Sequence, residues 1–298
     1  MNIARTKVLL VIVFLLSGLR IYAQNNKDYF KTQIPLGELV DAQLKEVSGI
    51  VAASEGENFW VHNDSGDGAN IYLINREAKL LQKFTLEDIE AVDCEDIDRV
   101  KIDGKNYLIL ADIGNNLGKR TWANLYIFPE PLQGDSAVIP KKDIKSIFVK
   151  FPGQKRLDAE SIMVDPRDNM LYIVSKREFR STIYSAPIFK NTKQQYFTLN
   201  KVAELPFTFA TASAIDPTGK EMLIKNITQI FYWRRNSGES WAEVVQRKPI
   251  EIPYVVEAQG EAITFDNTGR GFYTISERPF GLKSYLYYFE KVPRSHDK

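Results

Sequence analysis

The stretch EVSGIVAASEGENFWVHN (46–63) holds two short apolar runs on either side of a turn, and the second run breaks off in a polar burst that continues through Asp64 and Asp67. Its first five residues have four echoes, DCEDI (93–97), DAESI (158–162), TASAI (211–215) and QGEAI (259–263), and the closing isoleucines are 47, 65, 53 and 48 residues apart. Turn chemistry follows, as in DPRDN (165–169), DPTGK (216–220) and DNTGR (266–270), where Asp, Asn, Pro and Gly favour tight reversals. Beyond the turn lies a second apolar run ending in a polar residue: FWVHN (59–63), LILAD (108–112), YIVSK (172–176), MLIKN (222–226) and YTISE (273–277). A third run carries an apolar–aromatic pair such as Ile71-Tyr72 or Leu286-Tyr287, and a fourth segment follows in four of the five copies.

Four short strands at a period of about 50 residues mark a β-propeller blade, a unit that cannot bury its faces without neighbours. The fold class read from the chain is therefore all-β, a five-bladed β-propeller in one domain over residues 28–293. The fifth copy lacks a fourth strand, and FKTQIPLGELV (30–40) precedes the first repeat with no blade of its own. That N-terminal segment is expected to complete the last blade, a closure that removes two free sheet edges. Six blades is the alternative, because the 65-residue interval has room for a degenerate one.

Arg5 and Lys7 precede the apolar run 8–16, and Ala23 supplies a small residue at its exit. Residues 1–23 are read as a cleaved secretory signal peptide, so the chain is expected to be exported, to the periplasm or outside the cell. The apolar run is too short to span a bilayer comfortably, and no membrane span is expected after cleavage. Without the leader, Lys and Arg fall from 39 to 36 against 38 acids, a formal charge of −2. Such a chain has no global attraction to nucleic acid or anionic lipid; a monomer without a nucleic-acid partner is expected. Cys94 is alone, which rules out an internal disulfide framework and suits an inert buried thiol. Residues 294–298 are read as a disordered tail.

In a propeller the innermost strand of each blade starts at the mouth where the loop between the second and third strands also lies. Two residues before each isoleucine stand Ser48, Glu95, Glu160, Ser213 and Glu261; four before stand Glu46, Asp93, Asp158, Thr211 and Gln259. The second strands end in Asn63, Asp112, Lys176, Asn226 and Glu277, and the adjoining loops add Asp64, Asn115, Arg177 and Arg278. All should converge on one mouth as an acidic polar cup. Like charges brought together raise one another's pKa unless cations intervene. Lys176, Arg177, Lys225 and Arg278 could supply that charge internally. Alternatively a divalent cation could sit among oxygens of Glu95, Glu160, Glu261, Asn63, Asn115 and Asn226, a donor set suited to calcium. With no Cys or His cluster, zinc is not expected.

The run VSGI, HNDSGD, CEDI, DIGNN and DAES, spread over residues 46–190, resembles a group of uncharacterised exported bacterial β-propeller proteins. At a greater distance it is similar to phytase-like and gluconolactonase-like propellers, which bind calcium in the channel mouth. Blade four departs from the pattern, with Ser213 in place of an acid. The resemblance implies a calcium-assisted hydrolase of a phosphoester, ester or lactone, with Glu95, Glu160 and Asp112 in catalytic roles. His62, Asp64, Lys176, Arg177, Lys225 and Arg278 would then contact a small-molecule or glycan ligand. The rival expectation is a non-catalytic glycan- or protein-binding module, acting through the mouth or through Trp122, Trp233 and Trp241.

Overall fold

The computed structural model describes residues 29–189 and 193–293, and in it the repeats form five antiparallel sheets whose first strands neighbour one another around a central channel. The segments read as leader and tail lie outside the described residues. Among those residues, no helix is long and apolar enough to cross a membrane.

After β1 (Ile34–Glu38), blade one comprises β2 (Val47–Ala52), β3 (Phe59–Asn63), β4 (Asn70–Ile74) and β5 (Leu80–Leu86). Blade two comprises β6 (Cys94–Ile102), β7 (Lys105–Asp112) and β8 (Ala123–Pro129), then, past the short β9 (Val138–Ile139), β10 (Lys145–Lys150). Blade three comprises β11 (Ala159–Asp165), β12 (Met170–Ser175), β13 (Thr182–Ala186) and, past β14 (Tyr196–Thr198), β15 (Asn200–Glu204). Blade four runs through β16 (Ala210–Ile215), β17 (Glu221–Asn226), β18 (Ile230–Arg234) and β19 (Ile250–Ile252). Blade five has β20 (Ala262–Phe265), β21 (Gly271–Ile275) and β22 (Tyr285–Glu290), and β1 pairs antiparallel with β22 as its fourth strand. The N-terminal strand thus closes the ring, as the orphan segment before the first repeat implied.

The long interval between the second and third isoleucines holds no sixth blade. Its extra residues form β9, which crosses back to pair in parallel with β5 on the outer edge of blade one. In the same way β14 joins β10 of blade two in parallel. Both insertions protect an outer edge.

The core is divided rather than central. Five apolar clusters occupy the five junctions between adjacent blades. Because side chains alternate along a strand, Trp60 of β3 faces blade two while Phe59 and Val61 face blade five. Two expected surface aromatics belong to this core: Trp233 and Trp241 are buried between blades three and four. Trp241 donates to Asp165 Oδ2 at 3.2 Å and lies 4.2 Å beneath the guanidinium of Arg235. Arg235 pairs with the same carboxylate at 2.5 Å, with both side chains buried. The Arg in the turn after β18 is thus met by an acid and an aromatic face, which accounts for Trp241, while Trp233 donates to Arg247 O at 3.0 Å.

Candidate functional site

The acids meet because of a repeated irregularity. Ladder pairing jumps a residue at the start of four inner strands, between Val47 and Gly49, Cys94 and Asp96, Ala159 and Ser161, and Ala210 and Ala212. The skipped residues are Ser48, Glu95, Glu160 and Thr211. Such a bulge bends the strand and re-aims one side chain, here at the mouth. Register corrects the sequence alignment in two places. Thr211, not Ser213, holds blade four's place in the ring. Ser175, not Lys176, pairs with Ala159 as Asn63 pairs with Val47, so Lys176 and Glu277 match Asp64, one residue further into the loop.

Oxygens of Glu95, Asp158 and Glu160 lie within 4.8 Å of one another, and so do those of Asp64, Asp93 and Glu95. Glu95 belongs to both groups. The first group is neutralised: Lys176 Nζ reaches Glu160 at 2.6 Å and Glu261 at 3.5 Å, and Arg177 reaches Asp158 at 2.6 Å. Burial works against the Lys176 charge, but Glu160 and Glu261 more than offset it and hold its pKa above the usual value. Among the described residues no cation forms an ion pair with the second group, although Arg120 and Lys176 act on Asp93 from further off and partly offset its rise. Burial, then the neighbouring acids, pushes Glu95 well above the ordinary carboxylate range and raises Asp93. The same causes lift Asp64 to about 6 and Glu277 to about 8, while burial moves Glu160 to about 7.

Glu95 is 2% exposed, and among the described residues no hydrogen-bond donor or ion-pair partner meets its carboxylate. Gly114 makes room for it: a Cβ there would overlap both Glu95 Oε1 and the Asp93 carboxylate. The loop DIGNN (112–116) is thus shaped to let two acids approach its backbone.

Other expected site residues are committed elsewhere. Asp112 is fully buried, paired with Arg120 at 2.6 Å and accepting the Asp93 amide at 2.9 Å, so it anchors the loop beneath the ring. Asn63 binds Glu46 N, Gln43 O and Asp67, and Asn115 binds Arg120 and Leu157. Asn226 accepts the amides of Thr228 and Gln229 in its own turn. These three amides pin loops through the hydrogen bonds they already make. His62 is fully buried between blades one and two; its Nδ1 donates to Asn63 O at 2.8 Å, and desolvation lowers its pKa to about 4. Lys225 is buried at the junction of blades four and five, where it donates to Gly260 O and lies 3.7 Å from Glu257. Arg278 donates to Asp41 O at 2.9 Å, holding the segment that leads into β2. Cys94 is buried, as expected.

Sequence reasoning placed Asp93 in the aligned column but left it out of the donor set, and it assigned Asp64 to substrate. The signal for both was the conjunction of the acidic columns with Gly114, where a bulkier residue would have no room.

At the opposite mouth, a cavity of about 370 Å³ is lined by Arg99, Lys101, Asn106 and Asn267 among others. No protein-family model matches the chain, and no curated protein matches its sequence. A solved structure of a nidogen/laminin complex is similar over 80% of this chain and 74% of the matched chain, at 11% identity and a TM-score of 0.47.

Proposed function

We propose that the acid ring is the binding site of a divalent cation, calcium by the hardness of its oxygen donors, in an exported protein that hydrolyses a phosphoester, ester or lactone. The carrying observation is Glu95, a buried carboxylate between two acid groups with no donor of its own. A buried carboxyl without a partner either keeps its proton or gives it up to a cation that takes its place; burial raises Glu95's proton affinity, and calcium would compete for the same oxygens. Asp64, Asp93 and Glu95 would hold the ion, with Glu160 beside them. A bound calcium would polarise a phosphoryl or carbonyl oxygen. Lys176, at the rim of the same pit, is placed to hold a substrate oxyanion. Glu277 retains its proton near neutral pH and can pass it to a leaving group.

Calcium titration monitored by thermal unfolding tests the first step. Ligand at a hundredfold excess over its Kd stabilises by about 2.7 kcal/mol, and Glu95→Gln should abolish the gain. No shift at millimolar calcium overturns the proposal. A panel of phosphoester, ester and lactone substrates then tests the chemistry. The second reading, non-catalytic capture of a glycan or protein, has one observation in its favour: Lys176 and Arg177 already neutralise the blade-three acids. Calcium-dependent stability with no turnover of any substrate would support it.

A further inference from the structure

The loops joining the second and third strands surround the acid mouth, and four of the five carry an apolar tip. Phe280 is 103% exposed, Phe179 93%, Leu117 75% and Ile227 47%. Blade one alone offers Ser65 and Gly66 there. Phe209, in the loop that enters β16 and hydrogen-bonds Lys176 O through its amide, adds a sixth of the same kind if Leu282 beside Phe280 is counted. Phe280 and Phe209 have φ of +55° and +56°, a left-handed backbone that is unfavourable for a bulky side chain. The chain accepts that strain and still leaves both rings in water.

Cations stand beside these tips. Arg180 follows Phe179 and Lys119 follows Leu117 by two residues, both exposed; Arg177 and Lys283, also exposed, are already paired with Asp158 and Glu38. The tips belong to separate loops around a polar pit, so they make no continuous apolar floor for a shape-complementary protein. Isolated apolar side chains, each next to a cation, match a deformable surface whose anionic headgroups overlie hydrocarbon. We propose that this face docks on an anionic phospholipid bilayer, with Phe179, Phe280 and Leu117 entering the interface and Arg180 and Lys119 meeting lipid phosphates. The acids of the pit repel anionic headgroups over about a Debye length, so the electrostatic attraction comes from Arg180 and Lys119 beside the exposed tips, and the apolar side chains supply the rest.

The test is co-sedimentation of the whole protein with vesicles of phosphatidylcholine alone and of phosphatidylcholine with phosphatidylglycerol. Chelator is present throughout, which removes calcium bridging and makes the result independent of the cation site. Binding to the anionic vesicles is expected, with weaker binding to neutral ones. Phe179→Ser with Phe280→Ser should cut the partition coefficient roughly a hundredfold, about tenfold per ring removed from the interface. Arg180→Gln with Lys119→Gln should erase the preference for anionic lipid. All four side chains are exposed, so an unchanged melting temperature verifies the fold of each variant. No sedimentation with either vesicle, or undiminished sedimentation of the double Phe variant, overturns the proposal. So does Phe-dependent self-association in place of vesicle binding.

Discussion

Glu95 and Asp96 are neighbours in one strand, both buried, and they serve different ends: one faces the mouth, the other holds two inner strands together. Asp96 accepts the amides of Ile97 and of Ile162 in the next blade, each at 2.8 Å, and Asp98 likewise accepts Val164 N at 2.7 Å. These aspartates stitch the inner strands of blades two and three together. Glu95 has no such donor. Burial pushes both Glu95 and Asp96 well above the usual carboxylate range, so proton affinity does not separate them. Donors do: an acid whose lone pairs are filled by backbone holds the fold, and one left without donors is available to something that arrives.

Breaking the stitch should have the largest effect. Asp96→Ala orphans two buried amides, at roughly 1–3 kcal/mol each, and should lower unfolding stability by about 3 kcal/mol in urea titrations. Calcium affinity, followed by calorimetry, should stay the same; a parallel loss of metal would mean that both acids belong to one network. Next comes Gly114→Ala, which pushes a methyl group into the carboxylates of Glu95 and Asp93. A cost of about 1–3 kcal/mol is expected for the overpacking, together with loss of the calcium-induced rise in melting temperature. Retention of that rise would place the ion elsewhere.

The smallest effect is in pH dependence. Carboxyls whose folded pKa lies above the unfolded value take up protons on folding, so stability is greatest below the unfolded pKa and falls as pH rises toward the folded one. With Glu160 at about 7 and Glu277 at about 8, the melting temperature of the metal-free protein should decline as pH climbs from the mid-acid range to about 8. Glu277→Gln should flatten the upper part of that decline. A profile that rises across the same window would show that the ring is neutralised from within.

Much of this was readable from the chain. Isoleucine spacing and turn chemistry gave the blade count, and the orphan segment 30–40 gave the closing strand, because strand period and edge protection are local rules. The ring of acids was readable too, through its alignment to those isoleucines. What the alignment missed was register. The bulge has no signature in composition, and in blade four it lies four residues before the isoleucine instead of two, so the alignment puts Ser213 where Thr211 belongs; Lys176 is out by one position. Partners were equally invisible: Asp112 looked catalytic until Arg120, eight residues on, was found against it. Trp241 reads as exposed because nothing in its own neighbourhood announces Asp165 in another blade, and Trp233 because its partner is a backbone carbonyl, that of Arg247.

The closing strand has a consequence for the order of events in folding. Ile34 is made early and must wait for Tyr288, its partner in the ladder, before the toroid can shut. Closing so long a loop adds only logarithmically to the entropy cost, but pairing so distant in sequence is slow. During biogenesis β1 therefore carries a raw edge until β22 emerges, and a nascent chain halted before Tyr285 would remain an open crescent with that edge available to any strand nearby.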